Sequence, residues 1–266
     1  MSTIVNRSVT FVGGGNMGSA IVAGLLKAGW RADDLTIVEH SPERRAVLSG
    51  MFPGVSIVGE LGATVSAVIA VKPGAAAEVC AQLAAAGAKR ALSIAAGVSV
   101  ETLQEAAGSN CAVVRSMPNT PALVGEGVSA VCGSTHCTED DVQWAESILG
   151  AVGTVVRVEE RLMDAVTAVS GSGPAYLFLV AEALVAAGEK EGLSHEVADA
   201  LVRQLLVGSG RLLQQTGEDP AELRRKVTSP NGVTAAAIAT LESAGLRRAL
   251  EETVRSAVNR SREMGQ

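Results

Sequence analysis

The sequence predicts an α/β domain over residues 1–158 followed by an all-helical domain over 159–266. Three observations carry this. The β-branched, apolar run Val9–Val12 stops at three glycines and gives way to helical apolar spacing at Ile21, Leu25 and Leu26. Short apolar runs then alternate with helical stretches as far as Val158, the pattern of a parallel sheet with helical crossovers. From Glu160 onward no strand pattern returns.

The junction of the first strand and helix carries Gly13-x-Gly15-x-x-Gly18, with Asn16 and Met17 between the last two glycines. Gly13 permits a tight turn, Gly15 admits the close approach of a pyrophosphate, and Gly18 lets helix and strand pack closely. The helix start that follows offers free N–H groups and the positive end of a dipole to an anion. Strand before and helix after is the context a Rossmann dinucleotide fingerprint requires. An ordinary βα turn with no ligand is the weaker alternative.

Composition narrows the field. At 266 residues, with 47% apolar and 19% charged residues, the chain can bury a sizeable core and is not disordered. Aromatics make up only 2%, so platforms for stacking single-stranded nucleic acid are scarce, and a net charge of −6 disfavours a polyanionic partner. Met1 to Arg7 is short and polar, unlike a secretory leader. The apolar run Ala165–Ala181 is interrupted by Gly171-Ser-Gly-Pro174, which argues against a membrane span. Cys80, Cys111, Cys132 and Cys137 have no metal-site spacing and read as reduced thiols of a cytoplasmic protein, with no metal expected.

In chain order, Leu35–Val38 is a second strand closed by Glu39, where an acidic side chain holds ribose hydroxyls in NAD enzymes. Ser41, Arg44 and Arg45 follow at once, and guanidiniums there suit the 2′-phosphate of NADP; alternatively, Pro42 starts a helix and the arginines are its solvated face. Val55–Val58, Val65–Val71, Ala91–Ile94 and Cys111–Val114 are the next strands. Lys72 and Pro73 end the fourth and open a helix; Ala95 to Gly97 makes a turn after the fifth; Arg115 to Pro121 is a stiff polar loop after the sixth. Val128–Val131 and Gly153–Val158 flank a helix at Glu139–Leu149. The helical part has segments at 162–169, 175–190, 196–215, 218–227, 235–244 and 246–262. Helices this rich in Ala, Gly and Val are hard to bury within one chain, so a homodimer that interleaves them is expected.

Four stretches together resemble pyrroline-5-carboxylate reductases: Gly13–Gly18, Val71–Pro73, Arg115–Pro121, and Val169–Tyr176 paired with Ser229–Thr234. The resemblance runs from about residue 8 to the C-terminus, and Met117-Pro-Asn-Thr-Pro121 and Ser170-Gly-Ser-Gly-Pro-Ala-Tyr176 are its specific parts. It implies reduction of the ring C=N bond of 1-pyrroline-5-carboxylate to L-proline, with NADPH preferred and NADH usable. It places the cofactor on Gly13, Gly15, Asn16, Met17, Gly18, Ser41, Arg44, Val71, Lys72, Pro73, Ala95, Gly97 and Asn119. It places the substrate carboxylate on the loop of Ser229, Asn231, Gly232, Val233 and Thr234, with Thr234 as the catalytic hydrogen-bond partner of the ring nitrogen. Asn231 stands where the family has glycine; Asn is the next best residue for a left-handed turn. The resemblance also implies an intertwined dimer, with further assembly to decamers in many members.

The chemistry agrees. A protonated cyclic imine already accepts hydride well, so positioning suffices and no strong general acid is needed. His40, His136 and His195 read as surface or helix-start residues. Glu182 looks buried and either faces the substrate or pairs with another helix; Tyr176 lines a pocket or packs in the core. A β-hydroxyacid dehydrogenase would need a lysine at the start of its helical domain, and Gly171–Phe178 contains none. A non-catalytic sensor of the NADP pool would bind cofactor without turnover; the polar loops at the crevice argue against it.

Overall fold

The computed structural model describes residues 8–264. Met1 to Arg7, the short polar start, lie outside the described residues. One compact unit runs through Ser172 and takes in the chain again from Ala257; the other is Gly173–Ser256.

The first unit is built on one eight-stranded sheet of order β3-β2-β1-β4-β5-β6-β7-β8. Its strands are β1 (Val9–Val12), β2 (Leu35–Val38), β3 (Ser56–Val58), β4 (Ser66–Ile69), β5 (Arg90–Ser93), β6 (Ala112–Met117), β7 (Gly127–Gly133) and β8 (Gly153–Arg157). The helices between them are α1 (Asn16–Lys27), α2 (Pro42–Met51), α3 (Pro73–Ala85), α4 (Val100–Ala107) and α5 (Glu139–Leu149). β1 to β6 are parallel, whereas β7 runs antiparallel to β6 and β8 runs parallel to β7.

The central strands are buried on both faces, whereas β3 and β8 at the edges are partly exposed, and the period of two sorts the side chains. Phe11, Val68, Leu92 and Val114 face α1, α2 and α5, alongside Ile21, Leu25, Leu48 and Ile148. Val12, Ile69, Ala91 and Val113 face α3 and α4, alongside Cys80, Leu83 and Leu103. The order reverses beside β1, where β2 lies on one side and β4 on the other. That switch point is where an open α/β sheet leaves a crevice beyond its strand ends.

Two details differ from the sequence expectation. β6 extends to Met117, so the stiff loop starts at Pro118, because strand pairing with β7 draws Arg115, Ser116 and Met117 into the sheet. The glycines at 171 and 173 do not break the helix that follows either. After α6 (Met163–Val166) the backbone widens into a π-turn at Thr167–Gly171, with the Ser172 N–H bonded to the Thr167 carbonyl at 2.8 Å, and continues as α7 (Gly173–Lys190). Glu160–Lys190 is thereby helical throughout and, by length and composition alone, long and apolar enough to cross a bilayer.

The second unit contains α7, α8 (His195–Thr216), α9 (Pro220–Lys226) and α10 (Val233–Ser243); α11 (Leu246–Met264) starts there and ends in the first unit. Within a single chain α7 buries no residue and α8 only Ala198 and Val202. Phe178 is 67% exposed and Leu205 53%.

Candidate functional site

The fingerprint glycines divide into those the fold needs and one it does not. Gly13 has φ +106°, and a Cβ there would lie 2.4 Å from the Ala70 carbonyl oxygen. A Cβ on Gly18 would lie 2.7 Å from the Gly13 carbonyl, and one on Gly14 would meet Leu48 at 2.3 Å. Gly15 has φ −70° and nothing within 4 Å of its Cβ position. It is exposed, as is Asn16, with Met17 partly buried beside them. The backbone there faces open space at the first turn of α1, the geometry a pyrophosphate requires.

The end of β2 is more tightly knit than its sequence suggests. The Glu39 carboxylate accepts the Gly14 N–H at 3.1 Å and the Ser41 N–H at 3.0 Å, so both its oxygens hold the chain turn. Ser41 caps α2 by accepting the Arg44 N–H at 3.1 Å. The Arg44 guanidinium donates to the Gly14 carbonyl at 2.8 Å and the Ser19 hydroxyl at 3.1 Å. Arg45 donates to the Glu39 and His40 carbonyls, both at 2.9 Å. Arg44 therefore lies against the fingerprint and Arg45 against the end of β2, rather than out on a solvated face.

Three more predicted positions sit at strand ends of the same unit. Val71 is partly buried, while Lys72 and Pro73 are exposed at the start of α3. Ala95 is buried, its N–H bonded to the Ser93 hydroxyl at 3.3 Å, and Gly97 turns the chain at φ +77°. Asn119 is 8% exposed and both ends of its amide are bonded: Nδ2 donates to the Ser170 carbonyl at 3.1 Å and Oδ1 accepts the Val128 N–H at 2.9 Å.

In the helical unit, Asn231 is the one non-glycine residue at positive φ among the described residues, at φ 57°. The left-handed turn expected of it is formed. The Gly232 N–H bonds back to the Ser229 carbonyl at 3.0 Å, and α10 starts at Val233. Ser229, Val233 and Thr234 are exposed and Gly232 is partly buried. Glu182, expected to be buried, is exposed along α7, because burial of that helix face needs more than one chain. Tyr176 is partly buried. His40, His136 and His195 are all exposed; Glu189 at 2.8 Å holds the His195 imidazole above its ordinary pKa.

The helix starts show a pattern that composition does not reveal. α2, α4, α5, α8 and α9 are each capped by a side chain, from Ser41, Ser99, Thr138, Ser194 and Asp219. α1, α3 and α10 start on Gly15, Lys72 and Gly232 with no side-chain cap; the short α6, which continues a preceding helical turn, has none either. α1, α3 and α10 fall in the conspicuous motifs, and a helix start without a side-chain cap can offer its N–H groups to an anion. A cluster that sequence reasoning missed joins β6 and β7 to the start of the helical region. Glu160 pairs with buried Arg115, accepts the Cys132 thiol at 2.8 Å and the Val100 N–H at 3.1 Å. Only Glu160 and Arg115, lying 45 residues apart, could have signalled it, and nothing in their spacing does.

Comparison with known proteins follows the same division. Residues 160–264 match a family described as pyrroline-5-carboxylate reductase dimerisation, and residues 8–97 one described as NADP oxidoreductase, coenzyme F420-dependent. A pyrroline-5-carboxylate reductase of Synechocystis is 43% identical over 260 residues, covering 96% of this chain and 97% of the relative. A solved pyrroline-5-carboxylate reductase from Coxiella burnetii superposes with a TM-score of 0.93 at 34% identity, covering 98% of this chain and 100% of that one. A Plasmodium falciparum pyrroline carboxylate reductase with NADP bound gives a TM-score of 0.83 at 30% identity, covering 97% and 98%.

Proposed function

The chain belongs to the pyrroline-5-carboxylate reductases, and from that premise we propose which of its residues perform the reduction of 1-pyrroline-5-carboxylate to L-proline with NADP(H). The observation that carries the assignment is that the helix starts inside the motifs, those of α1, α3 and α10, carry no side-chain cap.

The fingerprint fits a dinucleotide, because Gly15 leaves an open cradle that a bulkier side chain would fill. Gly13 and Gly18 shape the turn, and the N–H groups of Asn16 and Met17 bind the pyrophosphate. Ser41 and Arg44 receive the adenosine end, Arg44 by turning from the Gly14 carbonyl towards a 2′-phosphate. Glu39 leaves that space to the phosphate, because backbone N–H groups hold its carboxylate. Val71, Lys72, Pro73, Ala95, Gly97 and Asn119 form the wall beyond the strand ends. When bound, the cofactor supplies the hydride that the imine carbon accepts.

On the substrate side, the N–H groups at the start of α10, from Gly232 to Thr234, hold the carboxylate, with Ser229 and Asn231 fixing the turn. The exposed Thr234 hydroxyl hydrogen-bonds the ring nitrogen and orients the C=N bond. Thr234→Ala is therefore expected to lower kcat/KM on pyrroline-5-carboxylate about tenfold, the worth of one hydrogen bond, with NADPH affinity and thermal midpoint unchanged. Steady-state kinetics beside cofactor titration check this, and unaltered turnover removes Thr234 from the site.

The chain carries a dimerisation domain. Two copies interleave their helices so that the exposed faces of α7 and α8 become a shared core, and dimers assemble further into decamers. Burial between copies also accounts for the apolar Glu160–Lys190 stretch without a membrane. The enzyme works in the cytoplasm, in keeping with four unpaired cysteines.

A further inference from the structure

We propose that Asn119 is a positioning residue that locks the loop beyond β6 to the π-turn opening the dimerisation helix, and that catalysis depends on this lock. The reason begins with Pro174. A helix carbonyl at Ser170 would accept from the N–H four residues on, and proline has none. The sequence that brings Pro174 into the helix thus deprives Ser170 of its regular partner, and the backbone widens into the π-turn Thr167–Gly171 at that place. The Asn119 amide supplies the missing donor at 3.1 Å while its oxygen holds the Val128 N–H at 2.9 Å. One buried side chain so ties three segments together: its own Pro118–Pro121 loop, the start of β7, and the helix entry.

The approach is close on both sides. The Met117 Cε seats on the helix entry at Gly171, 2.5 Å from where a Cβ would stand. The two most family-specific stretches, Met117–Pro121 and Ser170–Tyr176, are therefore adapted to each other as well as to ligands. Both ends of the Asn119 amide are bonded within the chain, which gives it a role beyond the cofactor contact assigned above. The loop it holds is at the carboxyl end of a central strand, where wall residues of the crevice stand.

The inference rests on the reductase assignment, and the experiment separates the two. Asn119→Ala is compared with wild type by kcat and KM for pyrroline-5-carboxylate, NADPH dissociation constant, thermal midpoint and dimer mass. The expected result is a kcat about tenfold or more lower, from loss of loop placement, with NADPH affinity within about threefold of wild type. Pro174→Ala restores an N–H at that position, so the same Asn119→Ala change is expected to cost about threefold or less there. Should Asn119→Ala fail to fold, Asn119→Asp keeps an acceptor for the Val128 N–H and removes the donor to Ser170, and is expected to give the same split. A lower thermal midpoint with unchanged kinetic constants overturns the lock, as does a loss of NADPH affinity that tracks the loss of kcat/KM. An equal penalty with and without Pro174 overturns its stated cause. A wild-type protein that oxidises no NADPH overturns the assignment beneath it.

Discussion

At the scale of single residues, the fingerprint shows that glycines with one motif name answer to different physics. Gly13 is required by its own fold: φ +106° and a carbonyl 2.4 Å from the Cβ position leave no room for a side chain. Gly13→Ala is expected to cost stability by about 1–3 kcal/mol and to lower the thermal midpoint. Gly15 has ordinary φ and empty surroundings, so Gly15→Ala keeps the fold and blocks only what binds there. Its expected signature is an unchanged melting curve with NADPH affinity down about tenfold or more, checked by fluorescence titration; equal melting losses for both variants would contradict this division. The positions of these glycines were legible in the sequence because the strand and helix around them are local. The roles of Glu39 and Arg44 were not. Whether Glu39 meets a ribose or the Gly14 N–H depends on how the β2 end lies against the fingerprint, 25 residues away in sequence.

At the scale of elements, the strand and helix sequence was readable from periodicity, and the boundaries fell within a few residues. The direction of β7 was not readable, since a short apolar run pairs equally well either way and its partner is decided by the sheet. The reversal matters, because it brings Cys132 beside Arg115, with the two residues paired across β6 and β7. Glu160 then closes the cluster from the start of the helical region. Arg115 is 6% exposed, so removing its partner leaves a buried cation with no counter-charge. Glu160→Ala is expected to destabilise the first unit by about 3 kcal/mol, measured by urea unfolding, while the Asn119 lock stays formed. The apolar faces of α7 and α8 were flagged by composition as hard to bury in one chain, and they stay exposed here. Phe178→Glu is expected to shift the protein towards monomer in sedimentation analysis and to abolish activity with it, because a charge in a shared apolar core has no partner.

At the scale of the whole molecule, the buried thiols tie stability to alkaline pH. Burial, with a smaller contribution from Cys111, pushes the Cys80 thiol from 9.0 up to about 12. Burial pushes Cys111 up to about 11, with Cys137 adding to it. Cys132 is raised too, by burial first and then by the Glu160 carboxylate that accepts its hydrogen bond. In each case the folded pKa lies above the unfolded one. The unfolded chain thus releases these protons first as pH rises, and deprotonation favours unfolding. The stabilisation is complete below about pH 9 and is lost as pH climbs towards 11 to 12. The urea midpoint should therefore hold steady from neutral pH to about 9 and fall above it, and Cys80→Ala with Cys111→Ala should flatten that fall. At pH 8 a thiol reagent should leave the buried cysteines Cys80, Cys111 and Cys132 unmodified in the native protein and reach them all in urea. Rapid native modification of these three would mean that the fold opens far more readily than the burial of these thiols implies.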